Sequence, residues 1–239
     1  MPVSSSAARP PTQAPDTTSR DEDGRRPSYP RDSAATAARI LEAARAEFCE
    51  HGLSGARIDR IAQAADVNKR MLYHYYGNKD GLYRAALVDA YREIRAGERS
   101  LELDRYPPEE AMERLVRFTF RHFLDKPWFV RILTVENLNQ ARFLSTVDDI
   151  RELHSPLVAE IQRILARGVA QGLFRAGVDP VQLYITIAGL GYFYVGNIRT
   201  LSVIFDRDLG EPALTDARAD HIVDVVRGYL RPVPGQGSA

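Results

Sequence analysis

From Ser33 to Leu230 apolar residues return at intervals of three and four, and no valine- or threonine-rich run alternates with polar residues over that length. This period collects apolar side chains on one stripe of an α-helix, and a chain without alternating runs has nothing from which to build a sheet. The expected fold class is all-α. A first helix takes Ser33 as N-cap, turns Ala37, Ile40, Leu41, Ala44 and Phe48 inward, and stops at Gly52. Short helices follow over 58–64 and 69–75, the second capped by Asn68. Gly77-Asn78 separates them from a fourth that runs from Lys79 to about Ala96. Pro107-Pro108, Pro127 and Asp179-Pro180 open later helices. Another runs from Asp148 or His154 to Gln171, with Gly172 as its cap, and the last spans Thr215 to Leu230.

The 239 residues suffice for a small domain joined to a larger one. Residues 1–32 hold six of the fourteen prolines and no apolar stripe, which predicts a disordered arm. The expected units after it are a three-helix domain over 33–80 and a helical domain over 81–232. The chain carries 32 basic and 32 acidic residues, which argues against a surface coated for indiscriminate adhesion to nucleic acid or membrane. The balance is five against five over 1–32, ten against eight over 33–97 and seventeen against nineteen over 98–239, that is 0, +2 and −2. Cys49 is the single cysteine, so an internal disulfide and a cysteine-rich metal site are excluded. With no signal-peptide pattern after Met1, a cytoplasmic protein is expected. The stretch from Val181 to Ile198 is uncharged, but Gln182, Thr186, three glycines, Asn197 and three tyrosines interrupt it. A buried helix fits this better than a membrane span.

The segment from Arg57 to Lys79 carries the chemistry. When two helices cross at a sharp turn, the first needs a small residue at the crossing, and Ala62 supplies it. The turn four residues later favours a residue that tolerates positive φ, here Asp66, while Val67 and Leu72 lock the pair. With Leu72 inward, the helical period places Lys69, Arg70, Tyr73 and His74 on the solvent side. The segment counts five basic residues against two acidic, a local charge of +3. Its second helix can enter a major groove, where Arg and Lys read guanine and Asn, here Asn68, reads adenine.

These features resemble the TetR (tetracycline-repressor-like) family of transcriptional regulators. The match rests on Gly52, the stripe Ile58, Ile61 and Ala62, the turn Ala65-Asp66-Val67, the run from Leu72 to Tyr76, and Lys79 followed by Leu82. It covers residues 40–87. The resemblance implies that Tyr73 and Lys79 touch phosphate and that Lys69, Arg70 and His74 face base edges. The sequence departs from the family at Asp66, where glycine is usual, and at Arg57, where a phosphate-binding threonine is common; Arg57 would bind by charge. The stretch from Phe174 to Phe205 looks like the ligand and dimerisation domains of some members. That implies a homodimer paired through its last two helices, a pseudo-palindromic double-stranded DNA operator, and repression released by a small apolar or amphipathic effector.

His122, Asn137, Tyr184, Tyr192 and Asn197 stand on otherwise apolar stretches, and with Trp128 they are the candidates for touching such an effector; satisfied core positions are the plainer alternative. The five histidines show no metal-ligand spacing, and Gly189 and Gly191 follow no strand and precede no lysine in phosphate-loop register. No metal, cofactor or membrane partner is expected. Two rival functions stay open. One is a DNA-binding regulator with no small-molecule ligand, which a filled C-terminal core would favour. The other is an enzyme with a helical active site, for which no nucleophile, metal or cofactor pattern speaks.

Overall fold

The computed structural model describes residues 30–148 and 150–232; the arm expected over 1–32 lies almost wholly outside them. Among the described residues the chain is helical, with no strand. The helices are α1 (Pro30–Gly55), α2 (Ile58–Ala64), α3 (Lys69–Tyr76), α4 (Lys79–Ser100), α5 (Pro108–Asp125), α6 (Pro127–Leu138), α7 (Ile150–Ala170), α8 (Pro180–Ile204) and α9 (Pro212–Leu230). Short 3-10 turns at Leu103–Arg105 and Leu144–Thr146 precede α5 and α7. None of these helices is long and apolar enough to cross a membrane.

Several helix ends differ from the sequence expectation. Helix α1 begins at Pro30, whose fixed φ suits a first helical position. Ser33 is thus inside the helix rather than its N-cap, and its hydroxyl meets Tyr75 Oη at 3.2 Å. Gly52 breaks the regular helix with φ 64°, and one further turn reaches Gly55. Helix α4 runs a turn past Ala96 because Arg95 and Glu98 point into the protein. Helix α9 starts at Pro212, with Thr215 back-bonded to the Pro212 carbonyl.

Two apolar cores result. One joins Ile40, Phe48, Ile61, Leu72, Leu82 and Leu87 of α1–α4 to Phe129 and Ile132 of α6. The other gathers Met112, Leu115, Phe120, Ile161, Ile187 and Val223 from α5, α7, α8 and α9. Arg45 of α1 reinforces the α1–α6 seam, lying 4.3 Å from the Trp128 ring and 2.9 Å from Glu93 Oε2 of α4. Cys49 donates its S–H to the Trp128 carbonyl, and burial pushes the thiol up to about 11, which makes it inert. Helix α8, uncharged from Val181 to Ile198, is buried on one side only. Leu183, Ile187, Gly191 and Tyr194 face the core, whereas Val181, Ile185 and Phe193 face outward.

Candidate functional site

Helices α2 and α3 are held to α1 by a small polar network. Glu47 is nearly buried on α1, and its Oε1 accepts from the Arg57 backbone N–H and from Arg60 Nε, both at 2.8 Å. This fixes the start of α2. The turn after α2 puts Asp66 at φ 50°, the left-handed conformation that an aspartate tolerates better than most residues. The Val67 N–H then returns to the Ala62 carbonyl at 3.0 Å. Asn68 caps α3 by accepting from the Arg70 N–H at 2.8 Å. On α3, Leu72 is buried, Tyr75 reaches Ser33, and Tyr76 donates to the Ala37 carbonyl at 3.2 Å. The aromatic run therefore divides its work. Its last two rings anchor α3 to α1, while Tyr73, 46% exposed, and His74 stay on the outer face.

Arg57, Asn68, Lys69, Arg70, Tyr73 and His74 are each exposed, and the period of α3 sets Arg70, Tyr73 and His74 away from the buried Leu72. Two of the expected cations have protein partners: Lys69 Nζ lies 2.6 Å from Asp59 Oδ1, and Lys79 Nζ donates to the Ala56 carbonyl at 3.0 Å. The Lys69 pair is solvent-exposed and so weak enough to exchange for a phosphate or a base edge. Lys79 is half-buried and ties the start of α4 to the link between α1 and α2. Met71, 36% exposed, shares the outer face and could supply apolar contact to a thymine methyl. The signal for it in the sequence is the same period that sets Leu72 inward.

In the C-terminal helices His122 is buried among Phe118, Phe123 and Phe129, its ring centroid 5.0 Å from that of Phe129. Tyr192 flanks Phe123 from α8 and shares a 2.7 Å hydrogen bond with Thr134. Trp128 covers Arg45 at the α1–α6 seam. Asn137 and Asn197 are exposed, each donating to the carbonyl four residues back. Tyr184 accepts from Arg95 Nη2 at 2.8 Å. Arg95 and Glu98, which the sequence reading did not single out, form the floor of a cavity of about 440 Å³ between the end of α4, the following 3-10 turn and α7. Leu103 and Leu157 supply apolar wall. Desolvation raises the Glu98 carboxyl to about 7 against the opposing pull of Arg95 and Arg99.

Burial, aided by the nearby Lys126 ammonium, pulls the His122 imidazole down to about 4. The folded state thus prefers the neutral ring, and unfolded chains bind the extra proton between about pH 6.5 and pH 4. The stability that His122 contributes is present above that window and lost as pH falls through it, about 3 kcal/mol in all. Glu98 drifts the opposite way over part of the same range, so the comparison needed is with His122→Phe, which keeps a ring and removes the titration. Denaturant unfolding from pH 7.5 to pH 4 should show the wild type losing more stability than the variant. Parallel curves would refute the assignment.

Known proteins match this chain along most of its length. Residues 40–86 match the family model described as bacterial regulatory proteins, tetR family. Residues 108–226 match that of the tetracyclin repressor-like C-terminal domain. The transcriptional repressor NicS of Pseudomonas putida is 36% identical over 192 residues, covering 80% of this chain and 89% of the relative. The transcriptional repressor SCO4008 of Streptomyces coelicolor is 32% identical, covering 81% and 98%. Among solved structures, the ketosteroid transcriptional regulator KstR2 of Mycobacterium tuberculosis shares the fold with a TM-score of 0.62 at 21% identity, covering 82% of this chain and 94% of that one.

Proposed function

The chain belongs to the tetracycline-repressor-like (TetR) family and is a DNA-binding transcriptional regulator, not an enzyme; we propose that it is a homodimeric repressor in the cytoplasm, released from its operator by a small molecule. The observation that carries this reading is the exposed face of α3. Its hydrogen-bonding side chains point outward from a helix pinned by Leu72, Tyr75 and Tyr76, on a segment that matches the family's DNA-binding domain.

The outward side of α8 exposes Val181, Ile185 and Phe193, and α9 exposes Val225 and Tyr229. A second copy supplies a matching surface by two-fold symmetry and turns both faces into a four-helix interface. The dimer then offers two copies of α3 to successive major grooves about 34 Å apart, or a multiple of that. Helix α4 supports control by a ligand. Its first residue, Lys79, is tied beside the DNA-binding helices, and its last turns carry Arg95 and Glu98 at the cavity, about 24–29 Å away along the axis. A molecule that binds one spacing of the α3 helices better than the other shifts the equilibrium by its differential affinity and no more. The cavity favours this reading over a regulator with no ligand.

A duplex selected by the protein from random sequence tests the DNA-binding face. Replacing Arg70 with alanine should cost about 1–3 kcal/mol and relax preference at one base position. Tyr73→Phe with Lys79→Ala should weaken binding to every sequence alike and flatten its dependence on salt. A variant with all three changes that shifts the selected duplex as well as the wild type does would show that α3 is not the reading helix.

A further inference from the structure

Arg95 and Glu98 lie three residues apart on α4, only 2% and 6% exposed, and both line the cavity between α4 and α7. Arg95 is held in place from one side, where Nη2 donates to Tyr184 Oη. On the other side Nη1 comes within 2.9 Å of Glu98 Oε2. Even so, Arg95 Nε and Nη1 and both Glu98 oxygens have no aligned hydrogen bond with any described residue. Donors and acceptors thus sit side by side with bonding capacity unused, each atom almost wholly covered, so a ligand reaches them by parting the Arg95–Glu98 contact. The rim differs: Arg105 pairs with Glu102 at 2.6 Å, and Arg163 pairs with Glu160 and with Asp104.

We propose that this cavity binds a neutral small molecule through a cis-amide edge, its carbonyl taking the Arg95 donors and its adjacent N–H donating to Glu98. The inference rests on the reading of the C-terminal helices as an effector-binding unit. Charge decides the class. The lining holds Arg95, Arg99, Arg105 and Arg163 against Glu98, Glu102, Asp104 and Glu160, four of each sign. On the buried floor an entering anion would meet Glu98 and an entering cation would meet Arg95, each desolvated there, while the remaining lining cation, Arg99, is exposed to solvent. A ligand with a donor beside an acceptor satisfies both residues at once. Leu103, Pro156 and Leu157 can hold its apolar body.

Four six-membered rings of similar size separate the possibilities: δ-valerolactam with both groups, cyclohexanone with the acceptor alone, cyclohexanecarboxylate as anion and piperidinium as cation. Saturation-transfer NMR on the full-length protein should give the lactam at least about tenfold tighter binding than the other three. In Arg95→Met with Glu98→Leu, where apolar side chains replace the buried pair, that preference should vanish. Should the double variant fail to fold, Glu98→Gln, which turns one acceptor into a donor, should weaken the lactam about tenfold by itself. A stronger anion or cation, equal binding of lactam and ketone, an unchanged preference in the variants, or no binding of any probe overturns the proposal. Operator release is measured separately. If the lactam binds as described but no amide compound releases the DNA, the cavity assignment stands and the effector-release reading falls. If other compounds release DNA equally from wild type and variants, the effector reading stands and this cavity is not its site.

Discussion

Phe193→Asp is expected to yield a folded monomer that has lost tight operator binding. Phe193 is 61% exposed on the outer half of α8, which also carries Val181 and Ile185. Between them Gly189 has open space where a Cβ would be, so a facing helix can approach closely there. In an isologous interface every side chain counts twice. Burying one phenylalanine contributes about 1.5–3 kcal/mol, so losing two removes about 3–6 kcal/mol. A carboxylate introduced into the interface from each copy adds desolvation. The expected result is a dimer weakened by more than about a thousandfold. A single copy presents one α3 and half of the phosphate contacts, so operator affinity at low protein concentration should fall by at least about a hundredfold. Sedimentation would report the mass, circular dichroism the retained helix content, and fluorescence anisotropy the affinity. A variant that stays dimeric shows that α8 is not the interface; a monomer with wild-type affinity shows that pairing does not matter for binding.

The same helix shows what the sequence makes legible and what it does not. An uncharged run with scattered glycines and tyrosines says that α8 avoids water on several sides, and it excludes lipid by its polarity. It does not say whether the second apolar side meets the chain's own core or another copy, and in the structure only one side is covered by this chain. By contrast the α2–α3 unit was readable almost residue by residue, because its determinants are local: a small residue at the crossing, a turn residue at φ 50°, a cap, and one inward leucine. The cavity is the least legible part. Arg95 and Glu98 at i and i+3 look in sequence like a solvated ion pair on a helix surface. They are buried because Glu102, at φ 48°, turns the chain into a 3-10 segment and because α7 packs over it, and the second cause depends on residues distant in sequence. The polar candidates drawn from apolar stretches fared unevenly for a related reason. His122 is enclosed by rings, whereas Asn137 and Asn197 stay at exposed positions by bonding to their own helices.

Gly81→Ala should damage the DNA-binding unit far more than its chemistry suggests. At an open helical position the change from glycine to alanine stabilises by about 1 kcal/mol. Gly81 is in the first turn of α4, however, and a Cβ there would sit 2.1 Å from the Tyr76 carbonyl oxygen at the end of α3. The contact is that close because Gly77, at φ 74°, turns the chain tightly back, and because Asn78 caps α4 by accepting the Gly81 N–H at 2.8 Å. No side chain can swing aside, since the opposing atom is backbone. To reach normal contact distance α3 must move by about 1 Å, yet Leu72 fixes it in the core, Tyr75 to Ser33 and Tyr76 to Ala37. Overpacking of this kind typically costs about 1–3 kcal/mol and outweighs the propensity gain. Asn78→Ala separates the clash from the loss of the cap, because it removes the cap alone for about 1 kcal/mol. Gly81→Ala should lower the melting temperature more than Asn78→Ala does. It should also cut operator affinity at least about tenfold, since a displaced α3 no longer meets the groove at its trained angle. A Gly81→Ala protein that melts and binds like the wild type would mean that α3 and α4 are not packed as closely as the Tyr76–Gly81 contact requires.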